Sequence, residues 1–332
     1  MRTRLFALAA LLPLSVIAWT QTPPPVEKKE EPKKEQPAEP KEEEGALKKY
    51  SEIVTKKAVS QSGLFKVHRI DDKVLFEIPE SMLGRQLLLQ AELAELPPNT
   101  SYPGEGMGTK VVRFTRRGNK IFLRNSDFSM RATGDDATKL GVTLATLEPI
   151  LIAFDVQTEG KDEAGKPTAV IDVTSLYTSD MADLSVKGAV GGIGVDSSRS
   201  YIDRIKAFPT NIETRSLLTF IGAPPSPFMF GPSRPSSSSV TVHYSLVALP
   251  DKPMMGRYKD SRIGYFTQSF SEYGRPENRM IEKEYINRFR LEKKDPNAPV
   301  SEAVKPITFY IAREVPLKWR AAIKQGIEDW QP

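Results

Sequence analysis

The sequence predicts a mainly β protein of the α+β class. A β-rich region of sandwich, barrel or layered-sheet type is followed by the first strand and helix of an α/β domain. Two observations lead to this expectation. Short apolar runs, several of them alternating with period two, succeed one another from residue 64 to residue 249, with turn residues between them. After residue 305 the pattern changes to one strand and an amphipathic helix.

Two hairpins are the most local features of the β-rich region. Residues 64–70 and 74–78 alternate on either side of Asp71-Asp72, which predicts a tight turn. Residues 110–115 and 120–124 flank a turn in which Gly118 and Asn119 tolerate positive φ. A short helical turn is predicted at 81–85, and the further strands are predicted at 86–93, 150–156, 169–173, 214–221 and 240–249.

Two segments between these strands are expected to be surface loops or flaps. Residues 188–194 read GAVGGIG, and residues 222–239 are rich in proline and serine.

The last residues predict a buried strand at 305–311 and then a helix beginning after Pro316. The apolar residues of this helix fall on one face: Trp319, Ala322, Ile323, Ile327 and Trp330. Since the sequence stops at residue 332 and nothing in it covers that face, we expect an α/β domain that is cut short.

The first residues have the parts of a secretory signal. Arg2 and Arg4 precede an apolar run from Leu5 to Ala18, with cleavage expected after Ala18 or, as second choice, Thr20. The run is shorter than the roughly 20 residues that a membrane-spanning helix needs, although an uncleaved anchor or a buried helix is the alternative. We therefore predict an exported bacterial protein in the periplasm, the outer envelope or the extracellular space, with no stable membrane span after cleavage.

Residues 21–45 predict a disordered linker. Val26 and Ala38 are their only apolar residues apart from proline, and Lys, Glu and Pro dominate the rest. The expected organisation is a signal peptide at 1–18, a linker at 19–45, a small N-terminal β domain at 46–98, a β-rich ancillary domain at 99–300, and the start of a further domain at 301–332.

Composition excludes several chemistries. The chain has no cysteine, which rules out thiol nucleophiles and cysteine zinc sites. The net charge of +5 falls to +3 if Arg2 and Arg4 leave with the signal, and the remaining charges are interleaved. A nucleic-acid-binding protein would show a concentrated basic footprint instead.

No catalytic or metal-ligating residue is predicted. His68 and His243 are the only histidines and lie on separate predicted strands, where we expect them to be partly exposed. The H-E-x-x-H zinc helix and the G-x-S-x-G serine elbow are absent, and the glycines of residues 188–194 miss both nucleotide-binding spacings. On its own, the chain is expected to be inactive.

Several segments together resemble the N-terminal half of a family of large exported bacterial zinc-dependent metalloproteases. They are Tyr50–Pro79, Leu83–Arg85, Ser198–Ile202, Lys206–Asn211, Pro253–Arg257, Asp260–Phe266, Tyr285–Leu291 and Pro306–Trp330. In that family two uncharacterised domains precede a metzincin-like catalytic domain, so residues 301–332 correspond to the start of the protease domain.

The resemblance implies zinc and a glutamate base in a protease domain that this sequence does not include. The implied partners are that C-terminal domain and the protein or peptide substrate of the intact enzyme. Arg257, Asp260, Arg262 and Tyr265 are candidates for an ion-paired contact with the protease domain, the alternative being an ordinary internal core and turn. Two other functions stay open: a non-enzymatic envelope protein that binds or scaffolds, and a propeptide-like inhibitor.

Overall fold

A computed structural model describes residues 47–222, 237–277 and 279–330. The chain divides between Glu44 and Gly45, and every described residue belongs to the second unit. That unit is mainly β, so the predicted fold class is confirmed. The predicted signal peptide, the linker and most of the proline- and serine-rich loop lie outside the described residues. Within the described part, no helix combines the length and apolar character needed to cross a membrane.

Twelve strands pair in one antiparallel sheet, called here the large sheet. They are β1 (Val59–Gln61), β2 (Lys66–Ile70), β3 (Lys73–Pro79), β4 (Leu87–Glu95), β5 (Gly106–Arg117), β6 (Lys120–Asn125), β8 (Ile150–Lys161), β9 (Pro167–Asp172), β10 (Gly192–Val195), β11 (Tyr201–Ala207), β12 (Asn211–Gly222) and β13 (Ser237–Ala248). Neighbouring strands run in the order β1-β2-β3-β9-β8-β6-β5-β4-β13-β12, and both β10 and β11 pair with β12.

Both predicted hairpins are confirmed. In β2–β3, Ile70 lies opposite Lys73, and Asp71 in the turn has a φ of 51°. In β5–β6, Arg117 lies opposite Lys120, and Gly118 has a φ of 59°. Positive φ at the first loop residue lets a two-residue loop follow the twist of the two strands.

Strand β8 joins the two halves of the large sheet. Its first residues pair with β6, whereas its residues from Val156 onwards pair with β9. The register shifts between Val156 and Thr158, as at a β-bulge. A bulge bends a strand and increases its twist, so it turns the sheet at this point.

Side chains bridge the two ends of the large sheet, where β1 and β2 approach β11. The Gln61 amide donates to the Ile205 carbonyl at 3.2 Å and accepts from the Ala207 N–H at 3.1 Å. The Arg69 guanidinium donates to the carbonyls of Ile202 and Asp203 at 3.0 and 2.9 Å. The sheet is therefore nearly closed, along a seam held largely by these two side chains.

The apolar interior is filled by aromatic rings that meet at steep angles. Phe65 lies 5.6 Å from Phe76 and 5.7 Å from Phe114, while Tyr177 lies 6.2 Å from Phe76 and 5.5 Å from Tyr244, measured between ring centroids. Tyr177 does not come from a strand, because it belongs to the segment between β9 and β10. The buried apolar side chains of that segment are Val173, Leu176, Tyr177, Leu184, Val186 and Val190.

The described helices are short, and α5 is the longest. They are α1 (Tyr50–Ile53), α2 (Asp136–Ala145), α3 (Thr174–Thr178), α4 (Lys187–Val190) and α5 (Leu317–Glu328). The helical turn predicted at 81–85 is a 3-10 turn at Glu80–Met82.

A small second sheet is formed by β7 (Met130–Ala132), β14 (Thr267–Tyr273) and β15 (Ile281–Ile286), with β7 parallel to β14. Beyond it, the predicted helix is confirmed as α5, but the strand predicted at 305–311 is wrong. In the described part of the chain no neighbouring strand pairs with these residues, and Phe309 and Tyr310 are exposed. An apolar run forms a strand only when its backbone groups find partners.

The prediction of a flap at residues 188–194 is also wrong. These residues end α4 and form β10, which pairs with β12. A Cβ on Gly192 would lie 2.6 Å from the Cβ of Phe220, so the glycine here permits close packing of a strand.

The boundary predicted between residues 98 and 99 falls in the loop between β4 and β5. These two strands pair with each other, and β3 pairs with β9 from the later part of the chain. Strands from both sides of residue 98 therefore share one sheet.

Replacing Phe114 with alanine should reduce the free energy of unfolding by about 3–5 kcal/mol, the usual cost of removing a buried aromatic ring. Phe114 is fully buried and contacts the rings of Phe65 and Phe154. Urea denaturation measures the change. Tyr102→Ala, at an exposed aromatic residue, is the control and should change the value by less than about 0.5 kcal/mol. Equal effects of the two substitutions would contradict this description of the core.

Candidate functional site

The four residues of the predicted contact do not form one cluster. Asp260 and Arg262 pair within a single turn, with the Arg262 Nε and Nη2 atoms 2.9 and 2.6 Å from the carboxylate oxygens. Hydrogen bonds from Arg262 lower the pKa of Asp260, and Asp260 raises that of Arg262. The Arg257 carbonyl accepts from the Ile286 N–H at 2.9 Å, along the edge of β15. Tyr265 is exposed.

The Asp260–Arg262 pair is therefore local and accessible to solvent, with 85% of the Arg262 side chain and 46% of the Asp260 side chain exposed. The neighbouring residues divide into two groups. Residues 257–259 follow β15, where Lys259 pairs with Glu284 at 2.8 Å. Ile263, Tyr265 and Phe266 present exposed apolar side chains beside the ion pair. Residues 257–259 thus lie at the surface along β15, where Tyr258 bridges to Tyr285, and the turn of this stretch lies at residues 260–263.

Exposed apolar side chains are concentrated between Met255 and Trp330. Of the apolar residues in this stretch, Phe270 and Ile286 are buried, whereas most of the large ones are exposed. The exposed fraction reaches 88% for Phe266 and 90% for Trp330. The larger exposed residues include Met255, Tyr258, Ile263, Tyr265, Phe266, Phe289, Leu291, Phe309, Tyr310, Trp319, Ile323 and Trp330. We call these side chains the C-terminal apolar surface.

The two histidines differ from the sequence prediction and from each other. His243 is partly exposed, as predicted. The same prediction is wrong for His68, of which only 1% is exposed. The Tyr50 ring lies edge-on to the imidazole, 6.4 Å away between centroids, and Glu77 bonds its Nε2, so residues outside β2 bury it. The pattern of apolar and polar residues along β2 does not reveal that other parts of the chain bury His68.

His68 is the centre of a buried hydrogen-bonded chain. Its Nδ1 lies 2.7 Å from the Ser60 Oγ, and its Nε2 lies 2.9 Å from the Glu77 Oε2. Strand pairing creates this order, because Ser60 on β1 is the direct partner of His68 on β2. Glu77 is on β3, two residues beyond the direct partner of His68. We call Ser60, His68 and Glu77, with Tyr50 and Thr168, the Glu77 network.

Tyr50 and Thr168 complete the partners of the carboxylate. The Tyr50 hydroxyl donates to the Glu77 Oε2 at 2.8 Å, and the Thr168 hydroxyl donates to the Oε1 at 2.8 Å. Gly160 allows this approach, because a Cβ there would lie 2.8 Å from Glu77, Thr168 and Tyr50 atoms. Both oxygens of a buried charge are thereby satisfied, which such a group requires.

Hydrogen bonding controls the ionisation of Glu77. Burial by itself raises the pKa of a carboxyl, but the bonds from His68, Thr168 and Tyr50, with Lys66 nearby, lower the pKa of Glu77 to about 2. The same surroundings raise the pKa of Tyr50, through burial and then through the Glu77 carboxylate. The network therefore holds a carboxylate that stays ionised well below neutral pH.

The order hydroxyl, imidazole, carboxylate is that of a nucleophilic triad, so this possibility needs a geometric check. Two cavities of about 600 and 670 Å³ lie beside the network. Lys66 lines both, and Tyr50 and Glu77 each line one, but Ser60 lines neither. We interpret the network as structural, because its bonds satisfy both oxygens of the buried Glu77 carboxylate and join residues of β1, β2, β3 and β9. The Glu77 network was not predicted from the sequence, where the only indication of it was a histidine and a glutamate within an apolar hairpin.

His243 joins two carboxylates on the outer face of the large sheet. Its Nδ1 lies 2.8 Å from Glu92 on β4, and its Nε2 lies 2.8 Å from Glu213 on β12. This cluster ties three adjacent strands together. Among the described residues, no group of three or more His, Asp or Glu side chains has a geometry suited to a metal ion.

Two family models match the chain. Residues 104–294 match the family described as domain of unknown function DUF5117, and residues 47–96 match domain of unknown function DUF5118. No curated protein matches the chain. No solved structure matches it either.

Glu77 should make stability depend on acid pH. Because its folded-state pKa is about 2 and its ordinary value is 4.5, its contribution is complete above about pH 5 and is lost as pH falls towards 2. The shift corresponds to roughly 3 kcal/mol at neutral pH. Denaturation of Glu77→Gln at pH 7 and pH 3 should show a loss of stability at pH 7 and a shallower pH dependence than the parent. Glu80→Gln, at an exposed neighbour, is the control, and identical profiles for the two variants would refute the assignment.

Proposed function

We propose that this chain, a member of the DUF5117 family with a DUF5118 segment before it, is the non-catalytic N-terminal region of an exported zinc-dependent metalloprotease. In this proposal peptide bonds are hydrolysed by zinc-bound water, with a glutamate as base, in a separate C-terminal domain. The residues of this chain contribute a β-rich body and a contact surface, and none of them acts on the substrate.

The observation that carries the proposal is the C-terminal apolar surface. Monomeric soluble proteins rarely expose large apolar patches, and such exposure marks an interaction surface. Of its two tryptophans, Trp319 lies in α5 and Trp330 lies just after the end of that helix. Helix α5 has no buried residue. A helix with an uncovered apolar face needs a neighbouring element to bury that face. In our proposal the protease domain supplies it, with α5 as part of that domain.

The Asp260–Arg262 pair supports the same contact. An exposed ion pair contributes little stability by itself, because water screens it. Beside Ile263, Tyr265 and Phe266 it forms the mixed polar and apolar surface that is common at interfaces between domains.

The proposed location is the periplasm, the outer envelope or the extracellular space of a bacterium. The N-terminal apolar run after Arg2 and Arg4 supports export, and the charged linker supports a tether between membrane and folded region. The rival function, a non-enzymatic envelope scaffold, would use the same apolar surface for another protein.

Reading the coding sequence beyond Pro332 separates these two functions. The proposal requires that the reading frame continue and encode H-E-x-x-H with a third histidine six residues later. The complete product should then cleave peptides, lose activity with a zinc chelator and regain it with zinc. A stop codon directly after Pro332 would instead exclude the protease assignment for this gene product.

Phe266→Ser should affect the complete product and not the isolated chain. In residues 1–332 alone the side chain is exposed, so thermal denaturation should change little. In the complete product the same substitution should lower the midpoint clearly, because it removes a buried contact with the protease domain. Arg262→Ala should show the same contrast with a smaller effect. Tyr102→Ser, at an exposed aromatic residue of the large-sheet region, is the control, and a Phe266→Ser effect equal in both proteins would exclude the contact.

A further inference from the structure

Arg131 occupies an unusual position between the two sheets. It is the middle residue of β7, opposite Glu272 of β14 in the parallel pair. Its guanidinium carbon lies 4.0 Å from the centroid of the Phe270 ring and 5.7 Å from that of Tyr285. The two rings lie 5.0 Å apart, so they form an aromatic support for the cation. Stacking on aromatic rings orients the planar guanidinium.

The N–H groups of Arg131 have no protein acceptor. Within residues 47–222, 237–277 and 279–330, the guanidinium of the exposed Arg131 stacks on aromatic rings but makes no hydrogen bond or ion pair with another side chain or with the backbone. Glu272, its direct neighbour across the strands, is already paired with Lys283 at 2.5 Å. Arginine carries five N–H donors in a fork that matches a planar carboxylate. The two rings therefore hold the guanidinium in place, and its N–H groups can donate hydrogen bonds to an external anion.

A cavity of about 430 Å³ lies at this fork. Its wall combines Phe270 and Tyr285 with hydroxyl and amide groups from both sheets, namely those of Thr109, Asn125, Ser126, Ser129, Gln268 and Ser269. The lining is mainly polar, with an aromatic part at Phe270 and Tyr285, which suits a polar or charged ligand. The volume falls within the usual range of roughly 300–1,000 Å³ for small-molecule sites.

The other charged side chains of the cavity indicate which kind of anion it can bind. Lys110 is neutralised by Asp183, whose carboxylate oxygen lies 2.8 Å from the Lys110 Nζ. Asp127 also lines the cavity, and the Ser129 N–H donates to its carboxylate at 2.7 Å. Asp127 repels any anion in the cavity, and it repels a doubly charged phosphate more strongly than a singly charged carboxylate that pairs with Arg131.

We propose that this cavity binds the free carboxylate of a small organic acid, of the size and kind found at the C-terminus of a peptide. Arg131 receives the carboxylate through its fork, and Phe270 and Tyr285 hold the guanidinium in place. Gln268 and the surrounding hydroxyls supply further polar partners for the ligand. This site adjoins the C-terminal apolar surface, since the Tyr258 and Tyr285 rings lie 5.1 Å apart, but it does not depend on the proposed protease function.

Titration calorimetry on the whole chain tests the site. The probes are N-acetyl-L-alanine, N-acetyl-L-phenylalanine and N-acetyl-L-glutamine, each compared with its C-terminal amide, and inorganic phosphate. We expect at least one acid to bind while its amide does not, and we expect phosphate to bind more weakly. Arg131→Lys should weaken binding of the acid roughly tenfold to a hundredfold, the loss typical of a charge-assisted hydrogen bond, and Arg131→Leu should abolish it.

Two further variants separate binding from folding. Gln268→Glu adds a negative charge to the cavity wall without removing Arg131, and it should abolish binding of the acid while the circular dichroism spectrum is retained. Arg117→Leu, at an exposed arginine outside the cavity, should bind as the parent does. The proposal is overturned if no acid binds at millimolar concentration, if acid and amide bind equally, if phosphate binds in preference, or if Arg131→Leu and Gln268→Glu leave the affinity unchanged.

Discussion

Closure of the large sheet around its interior is the constraint on which the other features depend. Twelve strands can curl until their ends meet only if the enclosed space is filled, and the segment from Val173 to Val190 fills it together with the inward aromatic rings. The two ends of the sheet meet without continuous backbone pairing. The side chains of Gln61 and Arg69 therefore form hydrogen bonds with backbone carbonyls and with one backbone N–H group of β11. The pairing of β1 with β2 in turn sets Ser60 against His68 and creates the Glu77 network.

Local features of this fold were predictable from the sequence, and long-range features were not. The hairpins at Asp71 and Gly118 depend on residues adjacent in the chain, and the strand predicted at 240–249 corresponds to β13. The burial of His68 depends on Tyr50 and Glu77, whose positions beside it no pattern along β2 encodes. The flap prediction for residues 188–194 was wrong for the same reason, because Gly192 packs against Phe220, which is distant in the sequence.

The candidate contact at residues 257–265 and the Arg131 site also differ in whether they depend on local or on long-range features. An ion-paired contact with another domain was predicted for this stretch and stays a prediction; what the fold shows is a local pair between Asp260 and Arg262, two residues of one turn. Arg257 and Tyr265 were grouped with them by sequence proximity, but β15 engages the Arg257 backbone and Tyr265 lies exposed. Arg131 was not singled out, because its aromatic support comes from β14 and β15, far along the chain. The site is recognisable only once the two sheets are assembled.

The interleaving of strands across residue 98 bears on how this region can be inherited. Residues 47–96 and residues 104–294 match separate family models, yet β3 pairs with β9 and β4 lies between β5 and β13. Either stretch alone would leave several long strand edges unpaired and its apolar face open to water. A recombination event that moved one stretch without the other would deliver part of a sheet with no core of its own. The two matched stretches thus form a single unit of genetic exchange, even though they are two units of sequence similarity.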